Sequence, residues 1–135
     1  MMYSMLERIE NIGQNMVHIL KFAVGPSELS LQKAIHFYTK KQQAILYKYG
    51  ECACVGMELI GENKARLCHI AVSKANRHQG LASYMIKEII RIHQLVYLEA
   101  ETDYEAVEFY RKCGWIITSL GEKYPGVERF QCYWK

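Results

Sequence analysis

Between Ile70 and Ile90 the chain gathers residues suited to holding an anion. An apolar run, Ile70-Ala71-Val72, is followed by the polar, basic stretch Ser73-Lys74-Ala75-Asn76-Arg77-His78-Gln79 and then by Gly80-Leu81-Ala82-Ser83. The run predicts a strand ending at Val72. Leu81, Ala82, Met85, Ile86, Ile89 and Ile90 recur at helical spacing and predict a helix opened by Gly80. A loop entering a helix N-terminus exposes unpaired backbone N–H groups, and the macrodipole adds partial positive charge there. With Lys74, Arg77 and His78 alongside, the chemistry expected is pyrophosphate binding. In Arg77-x-x-Gly80-x-Ala82, glycine lets the backbone approach a ligand without a Cβ in the way. Ala82 keeps the first helical turn close to its neighbouring strand. The same pattern also fits an ordinary strand–loop–helix whose glycine only makes the turn. A P-loop would need Gly-Lys-Ser/Thr at the helix start, and a dinucleotide fingerprint would need three glycines; Gly80-Leu81-Ala82 supplies neither.

The elements that must position this loop can be read in order. Residues 2–12 predict a short helix with Met5, Leu6, Ile9 and Ile12 on one face. Met16–Val24 is rich in β-capable residues and predicts a first strand. Gly25-Pro26-Ser27 is a turn, with Ser27 capping a helix over about 28–41. Gln43–Tyr49, Cys52–Ile60 and Arg66–Val72 predict a three-stranded meander, with a polar hairpin at Gly61–Lys64. After the helix of about 80–93, Leu95–Thr102 can pair parallel to Arg66–Val72 through a crossover. Thr102-x-x-Glu105 fits a capping box for a helix carrying Ala106, Phe109, Tyr110 and Cys113, with Gly114 just past its end. Trp115–Leu120, a loop over Gly121–Gly126 and Val127–Trp134 predict a closing antiparallel pair. The sum is one mixed α/β domain over residues 1–135, with six or seven strands and three or four helices.

The bulk numbers bound the function classes. The chain has 135 residues, half of them apolar, which suits one domain with a real core. A net charge of +3 is compatible with an anionic cofactor and too small to argue for nucleic acid. No apolar run approaches the roughly 20 residues that span a bilayer. Glu7, Arg8 and Glu10 interrupt the apolar N-terminus, unlike a signal peptide. Five cysteines without a CxxC pair point to reduced, mostly buried thiols in a cytoplasm. No His/Cys cluster has metal-ligand spacing, so no metal is expected.

Two motifs then combine. Ile70–Ala82 is similar to the cofactor-binding motif of the GNAT superfamily of acetyl-CoA-dependent N-acetyltransferases: a strand ending in an aliphatic-Ala-Val-like sequence, a short loop, and Arg/Gln-x-x-Gly-x-Gly/Ala at a helix start. Glu105-Ala106-Val107-Glu108-Phe109-Tyr110-Arg111-Lys112-Cys113-Gly114-Trp115 resembles that family's next motif. The resemblance covers residues 43–135 well and the first 40 loosely.

It implies a GNAT-like α/β (α+β) fold, a mixed and mostly antiparallel sheet flanked by helices, with two splayed parallel central strands. It implies acetyl-CoA as cosubstrate and direct transfer to a primary amine of a small molecule or peptide. It further implies that Ile70, Ala71 and Val72 hold the pantetheine arm, that the Ile70 N–H stabilises the oxyanion, and that Arg77, His78, Gln79, Gly80, Leu81, Ala82 and Ser83 hold the pyrophosphate. Asp103, Ala106, Phe109 and Tyr110 complete the cofactor site. Tyr110 would protonate the departing thiolate, which a phenol can do at neutral pH.

The base is less determined. Glu58, His69, Glu99, Glu101, Glu122 and Glu128 are candidates. In the related enzymes a base often sits on the strand before the cofactor loop. The resemblance carries that register onto Arg66 and Cys68, neither a convincing base. Alternation then turns His69 to the opposite face, leaving water-relayed proton loss toward a carboxylate such as Glu101. Asp103 departs from the Asn common in the family and cannot donate when ionised. The Gly121–Glu128 segment serves either the acceptor site or a plain turn. A non-catalytic acyl-CoA-binding module is the alternative function. No nucleic acid or membrane is expected as a partner, and the chain is expected to be a monomer or homodimer.

Overall fold

The computed structural model describes residues 4–135. Seven strands form one sheet in the order β1-β2-β3-β4-β5-β7-β6. They are β1 (Leu6–Arg8), β2 (Ala44–Tyr49), β3 (Ala53–Gly61), β4 (Lys64–Val72), β5 (Tyr97–Asp103), β6 (Ile116–Tyr124) and β7 (Val127–Trp134). All neighbours are antiparallel except β4 and β5, which run parallel. The helices are α1 (Gln14–Val24), α2 (Glu28–Lys40), α3 (Leu81–His93) and α4 (Val107–Lys112), with one 3-10 turn at Lys74–Asn76.

Alternation along the strands feeds two cores. Val55, Met57, Leu67 and Leu98 pack with Met85 and Ile89 of α3 and Val107 of α4 on one face. Leu46, Cys54 and Ala71 pack with Met16, Leu20, Leu31 and Ala34 of α1 and α2 on the other. A fully buried side chain such as Leu20 or Leu98 contributes about 2 kcal/mol. Ser27 caps α2 as expected, its Oγ accepting from the Ser30 N–H at 3.2 Å.

The N-terminal expectations are corrected. Of the helix expected over 2–12, Met2 and Tyr3 lie outside the described residues, and Leu6–Arg8 is an edge strand pairing with Tyr47–Tyr49. Its apolar residues serve two faces of the sheet: Leu6 enters the α3 core, whereas Ile9 and Ile12 pack against the α1/α2 core. The strand expected at Met16–Val24 is helix α1. Met16, Ile19 and Leu20 are its buried residues, an i, i+3, i+4 set that outweighs the β propensity of Val17 and Phe22.

Three smaller corrections lie toward the C-terminus. β5 begins two residues later than expected, because the Leu95 N–H is held by the Ile90 carbonyl at the end of α3. Thr102 and Glu105 form no capping box; the Asp103 Oδ1 accepts from the Ala106 N–H at 2.9 Å and helix α4 starts at Val107. β6 runs on to Tyr124, which shrinks the expected loop to a tight Pro125-Gly126 hairpin with Gly126 at φ 77°. The five cysteines are free thiols, but only Cys54 and Cys132 are buried and Cys113 is exposed.

Two features of β4 shape the middle of the sheet. Its pairing with β5 stops after Arg66–Glu99, so the two strands separate beyond that point. On β3, Gly56 faces His69 and Met57 faces Leu67, which leaves Cys68 as an extra, bulged residue.

Candidate active site

The separation of β4 and β5 opens a cleft of about 660 Å³ between α1, α2, the two strands and α4. The Ser73 N–H bonds the Cys52 carbonyl across β3 at 2.7 Å. By alternation, Ile70 and Val72 turn their backbone groups the other way, into the gap. Arg77 shows that this edge is open, since its Nε donates to the Val72 carbonyl at 2.9 Å. Its guanidinium also lies over the Phe22 ring, 5.0 Å from the centroid. Ala71 differs from its neighbours: its side chain is buried in the α1/α2 core, and its backbone alternates toward β3.

Beyond Val72 the chain turns into α3 as the sequence predicts. Gly80 caps the helix in the left-handed region (φ 78°), preceded by His78 at φ 64°. The first bond of the helix is Tyr84 N–H to Gly80 O at 2.9 Å. The N–H groups of Leu81, Ala82 and Ser83 therefore have no intrahelical partner, which is the arrangement an anion needs. None of Arg77–Ser83 lines the cleft itself; the loop lies at the end of β4 past it.

Tyr110 enters the cleft from α4. It is wedged between Phe109 and Trp115, with ring centroids at 5.1 and 4.9 Å. Burial pushes its phenol well above the ordinary range, so it carries its proton at neutral pH. Ile70, Glu101, Asp103 and Ala106 line the same cleft, whereas Phe109 supports Tyr110 from the side.

The opposite wall departs from the expected register. The bulge at Cys68 breaks alternation, so Cys68 and His69 both face the α1/α2 side and both line the cleft. His69 Nδ1 lies 2.6 Å from the hydroxyl of Tyr38 on α2. Burial pushes the imidazole down to about 4 and the Tyr38 phenol far up, so both are neutral at physiological pH. Gly56 makes room for the pair: a Cβ there would stand 1.8 Å from the Tyr38 hydroxyl.

Among the carboxylates, Glu101 accepts from Lys123 at 2.8 Å and from Arg129 Nε at 3.2 Å. Lys123 first, then Arg129, holds it below the usual carboxylate range. Glu58 and Glu99 sit outside the cleft, bridged by Arg66 at 3.5 and 3.0 Å. Glu122 and Glu128 face each other across the β6–β7 hairpin and do not line the cleft. Tyr38 and Arg129 are the residues that sequence reasoning missed. Gly56, isolated among Cys54, Val55 and Met57, is the signal that could have pointed to a close approach onto β3. Among the described residues, no group of His, Cys, Asp or Glu is placed to hold a metal, and no helix is long and apolar enough to cross a membrane.

A family model described as an acetyltransferase (GNAT) domain matches residues 36–117. No curated protein sequence matches. Solved structures of the same fold include a GNAT family acetyltransferase from Elizabethkingia anophelis with acetyl-CoA bound. It is 16% identical with a TM-score of 0.70, and the match covers 96% of each chain. An aminoglycoside 6'-N-acetyltransferase complexed with coenzyme A is 10% identical with a TM-score of 0.73, covering 96% of this chain and 95% of that one. The ribosomal-protein-S18-alanine N-acetyltransferase from Escherichia coli is 16% identical with a TM-score of 0.69, covering 95% and 90%. The seven-stranded mixed sheet flanked by four helices is the GNAT acyltransferase fold.

Proposed function

Because this chain belongs to the GNAT acetyltransferase family, we propose that it transfers the acetyl group of acetyl-CoA directly to a primary amine. The observation that carries this reading is the open edge of β4 at Ile70 and Val72, facing a gap that leads to Tyr110. The pantetheine arm pairs with that edge as an added strand. In doing so it takes over the Val72 carbonyl and releases the Arg77 guanidinium to the pyrophosphate. The pyrophosphate rests on the free N–H groups at the start of α3, with His78, Gln79 and Gly80 shaping the turn.

The amine nitrogen attacks the thioester carbonyl. The oxyanion that forms is met by the Ile70 N–H, a contribution of about 3 kcal/mol where such donors have been removed from other acyl-transfer enzymes. The C–S bond then breaks, and the thiolate takes the proton of Tyr110. The proton lost by the amine leaves through water in the open cleft, and one proton returns from water to the Tyr110 phenolate, which restores the neutral phenol. Glu101 stays ionised beside its two cations, so it orients that water and is too weak a base to keep the proton.

The test pairs a thermal shift with acetyl-CoA and a thiol-release assay over polyamines, amino acids, aminoglycosides and peptides. Stabilisation together with amine-dependent thiol release supports the proposal. No stabilisation at millimolar acetyl-CoA refutes cofactor binding. Stabilisation without release to any amine leaves a non-catalytic acyl-CoA-binding module.

A further inference from the structure

The acceptor wall carries polar groups that the transfer chemistry above does not use. The Tyr38 hydroxyl lies 2.6 Å from His69 Nδ1 and has no other hydrogen-bond partner among the described residues, so we assign its proton, which burial retains, to that bond. A neutral imidazole accepting at Nδ1 carries its own proton on Nε2. Among the described residues no buried side-chain nitrogen or oxygen lacks a partner, and none of those residues bonds Nε2. Nε2 is therefore accessible, and the space that His69 lines is the cleft. The tautomer is fixed from behind: Tyr38 sits over Gly56, the residue directly across the sheet from His69.

Two cations line the cleft with it, from different elements. Lys33 on α2 makes no salt bridge among the described residues. Arg129 on β7 meets Glu101 through Nε, which leaves its two terminal nitrogens available. On the lining itself Lys33 and Arg129 balance Glu101 and Asp103, and Lys123, outside the lining, pairs with Glu101, so that carboxylate is neutralised in place. The pyrophosphate loop lies elsewhere, so these donors are not committed to the nucleotide.

We infer that the acceptor is a small amine bearing a carboxylate, bound by His69 Nε2–H together with Arg129 and Lys33. The inference rests on the acetyl-transfer reading for the amine and on the wall itself for the carboxylate. Tyr38 is a positioning residue that acts through His69. A charge-assisted set of this kind favours the acid over its uncharged amide by about tenfold or more.

The experiment titrates glycine, L-alanine, L-glutamate and glycylglycine, each against its C-terminal carboxamide, into the protein loaded with coenzyme A. The same pairs are run in the thiol-release assay. The expected result is tighter binding and a lower KM for the acids. Free amino acids binding better than the dipeptide identifies a single amino acid as the occupant, and the reverse order identifies a peptide C-terminus. His69→Phe and Arg129→Gln should bring the acid-to-amide ratio toward one, and Arg129→Lys should restore part of it. Tyr38→Phe keeps the ring over Gly56, so the chain still folds; it should erode the ratio through KM with little change in kcat. A purely structural Tyr38–His69 pair would change thermal stability and leave the ratio intact. Equal binding of acid and amide by the parent protein, no binding of any acid, or a ratio unmoved in the His69 and Arg129 variants overturns the inference. Acid preference in binding without any acetylation leaves this inference standing and refutes the transferase reading; amine acetylation with no acid preference does the opposite.

Discussion

Along one edge of the cleft and just past it, Ile70, Val72 and the Arg77–Ser83 loop offer backbone groups within one short segment. On the opposite wall, His69, Glu101 and Arg129 offer side chains from β4, β5 and β7, with Tyr38 of α2 standing behind His69. The cofactor end is made by local geometry: a strand edge left unpaired, a left-handed glycine, and a helix start with free N–H groups. The acceptor end is made by tertiary assembly and by one bulge at Cys68. A backbone site tolerates side-chain drift and accepts one common cofactor, whereas a side-chain site changes its ligand with each substitution. Tyr110 stands where the two ends meet.

Tyr110→Phe tests that junction most sharply. It removes only the hydroxyl and keeps the ring between Phe109 and Trp115. Loss of a general acid costs about 10²- to 10⁴-fold in kcat, and acetyl-CoA affinity should stay within about twofold because the backbone end is untouched. Pre-steady-state acetyl transfer and equilibrium binding separate the two. An unchanged turnover would remove Tyr110 from the chemistry.

The same contrast explains what could be read from the sequence. The strand–loop–helix around Gly80 and the helix bearing Tyr110 were legible because their signals lie within a dozen residues. The parallel neighbour of β4 was legible because a crossover helix separates the two strands. Helix α1 was misread because Val17, Ile19 and Phe22 suit either structure alone, and only packing against Leu46 and Ala71 decides. The side of His69 was misread because alternation assumes a regular strand, and a single bulged residue reverses it. Glu101 was recognisable as a carboxylate, but its quenching by Lys123 and Arg129, 22 and 28 residues away in sequence, depends on the β6–β7 hairpin folding back beside it.

Glycines at the two ends should respond differently to alanine. At Gly56 a Cβ would meet the Tyr38 hydroxyl at 1.8 Å and its ring carbons at 2.3 and 2.8 Å, so the buried ring must move. Gly56→Ala should cost about 3 kcal/mol of unfolding free energy in a urea titration. In a Tyr38→Ala background the same change should cost far less, since the obstacle is gone; additive costs would show that Tyr38 is not what Gly56 accommodates. At Gly80 nothing stands within 4 Å, and only its left-handed backbone resists. Gly80→Ala should therefore cost about 1–2 kcal/mol, felt in stability and in acetyl-CoA affinity together.

The pH dependence of stability isolates His69. Burial holds its imidazole at about 4 in the folded protein, against an ordinary value near 6.5 once unfolded. The unfolded chain therefore binds the extra proton first, and stability falls as pH drops below about 6.5, with the loss complete below about 4. Between pH 7 and pH 5 this one group should remove about 2 kcal/mol. Other groups contribute to the raw curve, among them His93, which burial and Arg8 also push down. The readout is therefore the difference between the parent protein and His69→Gln, measured by urea unfolding at both pH values. The glutamine variant should lose less stability on acidification by that amount. Identical losses would mean that the imidazole is solvated enough to protonate in place, and the neutral Tyr38–His69 pair at the acceptor end would be lost with it.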